Sequence, residues 1–408
     1  MVLPDFTKYY SELAKKVKAS EIRELLALIR ERKDVISFAG GIPDPAIFPK
    51  EKLAEIAKFV IEVYGDDALQ YSETKGIIEV RETLSDFVLR YRHIIADAED
   101  IIITTGSQSA LDIISRTFIN PGDVVITENP TYLAALGAFK NNGAKVVGIP
   151  IDDKGIKTDV LERKLKTLVE NGERVKFIYV IPVGQNPAGT TMDKDRKQHL
   201  LEIASKYDVL VVEDDPYSYI IFEPNVEVAS LKSMDSENRV IYMSTVSKIL
   251  APGLRIGWII AHPELIRKFE LIKQYIDLHS PTLNQYIVAE AIKRGIIMET
   301  VTKAVPRYRR KRDTMIKAIE EEMGELVSFY KPVGGLFIFT YVMNEKFYAD
   351  SLLEKALKEY KVAYVPGGSF HPDGSGRNSM RLNFSYPSED QIIEGIRRLG
   401  SFVRSSIK

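Results

Sequence analysis

"IIITTGSQSALDIISRTF", residues 101–118, is a short apolar run that ends in a glycine, where a helix begins near Ser107. The same pattern repeats on either side of the next helix. "VVITENP" (124–130) precedes a helix from about Thr131, and "AKVVGIPI" (144–151), "VKFIYVIP" (175–182), "VLVVEDD" (209–215), "VIYMST" (240–245) and "GLRIGWII" (253–260) continue the series. Runs apolar on both faces and spaced by helices belong to a mainly parallel sheet covered on both sides. The expectation is an α/β fold: a seven-stranded sheet inside one large domain over residues 50–290.

Upstream, "SEIRELLALIRER" (20–32) predicts an amphipathic helix with Ser20 as its N-cap. "ISFAGGIPDPAIFP" (36–49) follows as an irregular connector. Helices are expected near 50–64 and 76–91, on either side of the loop "ALQYSETKG" (68–76). Downstream, a long helical stretch of mixed charge covers roughly 263–320. Strand-like runs "LVSFYKP", "GLFIFTYV", "VAYVPGG" and "SMRLNFSY", with helices near 349–360 and 388–404, predict a smaller α+β domain. The expected division is residues 1–49, a helix and connector packing on the small domain or a partner; 50–290, the large domain; and 291–408, the small domain.

Bulk composition narrows the function. The 408 residues are too many for one simple core. Fifty-six Lys+Arg against 57 Asp+Glu leave a net charge of −1, so no basic excess points to nucleic acid or an anionic membrane. Cysteine is absent, which excludes disulfides, Cys-zinc sites and thiol catalysis. The five histidines, His93, His199, His262, His279 and His371, show no metal-ligand spacing, and no metal is expected. With no spanning apolar run and no signal-peptide pattern, a cytoplasmic protein is expected. Richness in Lys, Glu and Ile is a bias of thermophilic proteins.

Ligands of parallel α/β sheets bind at the carboxyl ends of strands. Those ends carry Gly106-Ser107-Gln108, where free N–H groups of a helix start suit a phosphate. They also carry Tyr132, Asn186, Asp214, Asp215, Tyr217, Thr245, Ser247 and Lys248. Singly, each has an ordinary structural explanation. Together they make a phosphate cradle, an aromatic ring, an amide, a carboxylate, a phenol and an amine. One ligand needs that whole set: pyridoxal 5′-phosphate (PLP), whose aldehyde takes a lysine and whose ring nitrogen takes a carboxylate. Arg255, read as a cation within an apolar strand, needs a partner of its own.

"PVGQNPAGT", "VVEDDPY" and "STVSKILAPGLRIGW", in this order, resemble the fold-type I PLP-dependent aminotransferases of class I/II. "SEIRELL", "ISFAGGIPDPAIFP", "ALQYSETKG", "TTGSQSALD" and "SMRLNFSY" are similar to the branch of 2-aminoadipate (LysN-like) and kynurenine/2-aminoadipate aminotransferases. The likeness covers nearly the whole chain. It implies that Lys248 is the Schiff-base lysine and Asp214 the partner of the ring nitrogen. Asn186 and Tyr217 would donate to the ring oxygen, and Tyr132 would stack on the ring. Ser107, Gln108, Thr245, Ser247 and Arg255 would face the phosphate. Arg381 would grip the substrate α-carboxylate, with Gly41 beside the substrate and Arg23 meeting a distal carboxylate. Tyr71 would reach the phosphate of a second subunit, which implies a homodimer with shared sites. Thr245 stands where the family often has Ser, and Ala188 where it often has Thr.

The implied reaction is transfer of an amino group from an L-amino acid to a 2-oxo acid, 2-oxoglutarate foremost, by ping-pong kinetics. The resemblance leaves several donors open: 2-aminoadipate or glutamate, aromatic amino acids including kynurenine, branched-chain amino acids, and the alanine–glyoxylate pair. β-Lyases share the lysine–aspartate core and are the rival chemistry. Regulators with an aminotransferase-like domain need a DNA-binding module, and no basic helix-turn-helix is apparent.

Overall fold

The computed structural model describes residues 4–17, 32 and 34–407. The helix expected over 20–32, and Arg23 with it, lies outside the described residues but for Arg32. The connector begins with strand β1 (Ile36–Ser37). The seven apolar runs become seven strands of one sheet: β2 (Ile101–Thr104), β3 (Val124–Asn129), β4 (Lys145–Asp152), then, after a short β5 (Gly155–Ile156), β6 (Val175–Val180), β7 (Leu210–Asp214), β8 (Val240–Thr245) and β9 (Gly257–Ile260). Their spatial order is β2-β9-β8-β7-β6-β3-β4-β5. β5 adds an eighth, antiparallel strand at the edge of β4. Two residues are too short a run to announce a strand by periodicity. β9 runs antiparallel to both β2 and β8, and β4, β3, β6, β7 and β8 run parallel to one another.

Every residue of β2, β8 and β9 is buried, which is why these runs show no alternation. Helix Ser107–Phe118 covers the sheet with Ala110, Leu111, Ile113 and Ile114. The stretch 263–320 is divided into three helices: Pro263–Gln274, Thr282–Lys293 and Ile296–Met323. Ser280 precedes Pro281, a position that disfavours helix, and Gly295 at φ 70° caps the start of the last one. Charge patterning alone does not reveal these breaks.

The remaining strands are β10 (Val327–Phe329), β11 (Phe337–Val342), β12 (Val362–Ala363), β13 (Val365–Pro366) and β14 (Ser379–Asn383). Four of them form an antiparallel sheet in the order β10-β11-β14-β13, and β12 pairs in parallel with β1. Helix Glu389–Ser406 opens with a capping box, Ser388 Oγ accepting from Gln391 N and Gln391 Oε1 from Ser388 N; such a cap contributes about 1 kcal/mol. Its buried Ile392, Ile396, Leu399 and Val403 follow the helical period. Phe38 packs so closely on Gly395 that a Cβ there would stand 2.5 Å from its ring. The connector is thereby held, and Asn383 N donates to Phe38 O at 2.9 Å. Among the described residues no helix is long and apolar enough to cross a membrane.

Candidate active site

Strand ends of the large sheet, the connector and β14 meet at a cavity of about 260 Å³. Gly41, Ser107, Gln108, Tyr132, Asn186, Asp214, Tyr217, Thr245, Ser247, Lys248, Arg255 and Arg381 all line it. Tyr71 does not line its own chain's cavity; it is exposed and sits edge-on to His279, with ring centroids 5.9 Å apart.

Asp214 closes β7 and is 2% exposed. Its Oδ2 accepts from the Tyr179 hydroxyl at 2.6 Å, and its Oδ1 has no donor among the described residues. Burial pushes its carboxyl up to about 7, the Tyr179 bond pulls it down, and the carboxylates of Asp215 and Glu213 push it further up. Asp215, its neighbour, is fully engaged: Arg92 Nε at 2.9 Å, Tyr242 hydroxyl at 2.9 Å and Ser218 hydroxyl at 2.8 Å all donate to it. Two adjacent acids thus separate into a structural one and one with an oxygen to spare.

Lys248 Nζ donates to Gly41 O at 2.8 Å. Burial lowers its amine to about 8, and the charges of Arg381 and Arg255 lower it further. It therefore has a substantial neutral fraction near pH 8.

Arg255 corrects the sequence reading. It lies in a left-handed turn (φ 54°) two residues ahead of β9, after the short helical turn Pro252–Leu254. Its Nη2 donates to Thr105 O at 3.3 Å. The guanidinium lies across Gly106, where a Cβ would stand 2.5 Å from Nη2. Gly106, at φ 76°, opens helix Ser107–Phe118. Helix start and cation therefore converge, and Thr245 and Ser247 join them at the cavity wall, their hydroxyls 2.9 Å apart.

Arg381 is 2% exposed on β14. Its guanidinium stacks over Phe337 at 4.2 Å and Phe370 at 5.0 Å. Nη1 donates to Asn186 Oδ1 at 3.1 Å, Nη2 to Ala39 O at 3.4 Å, and Nε has no acceptor among the described residues. Burial lowers it to about 10, while the Tyr217 and Tyr132 phenols act in the opposite sense. No carboxylate among the described residues comes within ion-pair distance of Lys248, Arg255 or Arg381. A buried arginine without an acid is costly unless an anionic ligand completes it.

Asn186 sits in a braced loop. Gln185 donates to Glu128 Oε2 at 3.1 Å and to Pro130 O at 2.8 Å, and accepts from Ala188 N at 2.8 Å. Glu128 also accepts from Ile181 N at 3.1 Å, and burial pushes its carboxyl up to about 8. Sequence reading missed Ile181, Pro216, Pro252 and Phe337 in the cavity wall, and Tyr179 behind it. For Tyr179 a signal exists: a tyrosine in a strand buried on both faces must find a partner for its hydroxyl.

PLP fits this donor set. The free Asp214 Oδ1 suits a protonated ring nitrogen, and the Gly106 turn with Arg255 suits the phosphate. Ser107 Oγ, also without a partner among the described residues, adds a donor there. Lys248 supplies the amine. Among the described residues no cluster of His, Asp or Glu is arranged to hold a metal ion.

Residues 33–399 match the family model "Aminotransferase class I and II". The chain is 47% identical to aromatic-amino-acid aminotransferase 1 of Thermococcus litoralis, over 99% of this chain and 96% of that one. The kynurenine aminotransferase of Pyrococcus horikoshii, solved with PMP, superposes with a TM-score of 0.95 at 45% identity and 99% coverage of both chains. LysN, the α-aminoadipate aminotransferase of Thermus thermophilus, solved with N-(5′-phosphopyridoxyl)-L-leucine, superposes at 0.89 with 36% identity, covering 98% of this chain and 99% of that one.

Proposed function

The chain belongs to the class I and II aminotransferases, PLP-dependent enzymes, within the aromatic, kynurenine and aminoadipate branch; from that premise we propose how its residues divide the work and which substrates they take. PLP supplies a carbon that accepts the amino group and a ring that withdraws electrons from the substrate Cα. Ser107, Gln108, Thr245, Ser247 and Arg255 hold the phosphate. Asp214 keeps a proton on the ring nitrogen. Asn186, whose Oδ1 is already taken by Arg381, uses its amide N–H, together with the Tyr217 hydroxyl, to bind the ring oxygen. Tyr132 covers the ring.

Arg381 binds the substrate α-carboxylate through two parallel charge-assisted bonds. With PLP bound, Lys248 as a neutral amine would be the base that moves the substrate Cα proton. Its lowered pKa suits that task, since a base is best poised near the working pH. The donor is an L-amino acid with an aromatic or dicarboxylic side chain, and the acceptor is 2-oxoglutarate. Beyond Lys248 and Arg255, the wall offers only Arg381 as a cation among the described residues; the resemblance to the aminoadipate branch assigns the distal carboxylate of 2-aminoadipate or glutamate to Arg23. The enzyme is a homodimer in which Tyr71 completes the partner's phosphate site. Exposed Leu69, Tyr71, Tyr275, Ile276 and Leu278 are among the apolar side chains that such an interface would cover.

The observation that carries this reading is the convergence of Lys248 and the unengaged Asp214 Oδ1 on one cavity. The test is a single-turnover panel of amino acids against the PLP form, without acceptor. Aromatic donors and 2-aminoadipate should convert the cofactor stoichiometrically to pyridoxamine phosphate. Release of pyruvate and ammonia instead would assign a lyase. Arg23→Gln should weaken dicarboxylate donors and spare aromatic ones; equal effects on both would remove Arg23 from specificity.

A further inference from the structure

Tyr179 is 0% exposed in the middle of the sheet. In the parallel register of β6 on β7 it lies opposite Val212. Asp214 is two residues further along and on the same face, so the phenol leans across to it and donates to Oδ2 at 2.6 Å. The ring itself is held edge-on by Phe139, with centroids 5.3 Å apart. The hydroxyl is thus aimed at the acid by packing that does not involve the cavity. Tyr179 is absent from the cavity wall.

We propose that Tyr179 is a positioning residue that decides how firmly Asp214 keeps a proton on the cofactor's ring nitrogen, and thereby sets the electron demand of the ring. The proposal rests on the reading of Asp214 as that nitrogen's partner. A proton between a carboxylate and a ring nitrogen goes to the nitrogen when the carboxylate is stabilised as an anion. The surroundings of Asp214 work against the anion: burial first, then Asp215 and Glu213, with Glu128 on β3 and the Tyr217 phenol also facing it. Arg92, the nearby cation, is engaged with Asp215. The Tyr179 hydroxyl is the one side-chain donor to Asp214 among the described residues. Burial raises the phenol's own pKa well above the ordinary tyrosine value, so it stays a donor at working pH.

Tyr179→Phe removes the donor and keeps the ring. The proton then moves towards Asp214, the ring loses positive charge, and the lysine–cofactor linkage holds its own proton to higher pH. In a pH titration of the holoenzyme's visible absorbance, the midpoint should rise by about one unit, the effect of losing one hydrogen bond to a charged group. Replacing Tyr179 by 3-fluorotyrosine, a stronger donor of nearly the same shape, should lower it. Phe139→Leu, which loosens the packing that aims the hydroxyl but leaves the donor in place, should lower the melting temperature and move the midpoint by clearly less than Tyr179→Phe does. An unmoved midpoint in Tyr179→Phe, or in the fluorotyrosine protein should the first variant not fold, would overturn the proposal. So would an equal shift in Phe139→Leu. Asp214→Asn separates the premise: if it leaves the midpoint where it is in the wild type, the reading of Asp214 has failed rather than that of Tyr179.

Discussion

Side by side at the end of β7, Asp214 and Asp215 are chemically identical and differ only in what they touch. Asp215 faces Arg92, Tyr242 and Ser218 and is consumed by them; Asp214 keeps one oxygen for a ligand. From the sequence both were candidates, and family resemblance singled out Asp214; its hydrogen-bond partners now give the physical reason. Arg381 makes the same point. A lone arginine in "SMRLNFSY" could have been a surface charge, but it is buried between two phenylalanines with no acid beside it. Arg381→Lys keeps the charge and loses the planar fork. It should lower kcat/KM for every amino donor by about 10²–10³, the scale of removing one partner of a buried charge pair, and leave the cofactor spectrum unchanged. Steady-state kinetics with two unrelated donors checks this; a loss confined to one donor would make Arg381 a side-chain reader instead.

At the scale of the element, two loops matter most. The turn before helix Ser107–Phe118 needs a residue without a Cβ because the Arg255 guanidinium occupies that space. Gly106→Ala should therefore destabilise the protein by about 1 kcal/mol or more from backbone strain alone, and should weaken PLP binding by displacing Arg255. Thermal unfolding and equilibrium dialysis read the two effects separately. The loop carrying Asn186 is braced by Glu128 and Gln185. Glu128 titrates near 8 in the folded chain, above its ordinary 4.5. Its folded form therefore binds the extra proton. The stability it contributes is fully present below about 4.5 and is lost as pH rises through about 8. Glu128→Gln has no such proton to lose, so its melting temperature should gain on the wild type's between pH 5 and pH 9. A constant difference would mean that Glu128 is ionised throughout. Neither brace was legible in the sequence, because each depends on which loops the sheet order brings together. The runs of β2, β8 and β9 were legible because burial on both faces leaves a continuous apolar signature, whereas β4, at the margin of the sheet, is apolar in sequence yet mostly only half-buried. β5, two residues long, and the turn at Arg255 leave none.

Over the whole molecule, the sheet places its strand ends, the connector and β14 around one cavity, so the site draws on residues from Gly41 to Arg381. Convergence over such separations was foreseeable only through the strand-end rule and the family motifs. The exposed Tyr71 beside His279 points away from any such argument within one chain. If Tyr71 serves the partner's site, mixed dimers of Lys248→Ala with Tyr71→Ala should contain one site with both native residues, and activity should exceed the sum of the parents. Activity equal to that sum would confine each site to one subunit. The central claim, that Lys248 is the amine joined to PLP, is reached most directly by borohydride reduction of the holoenzyme followed by peptide mass mapping. A single phosphopyridoxyl adduct is expected on the peptide containing Lys248, and none in Lys248→Ala. An adduct on any other lysine, or an undiminished adduct in that variant, would contradict it.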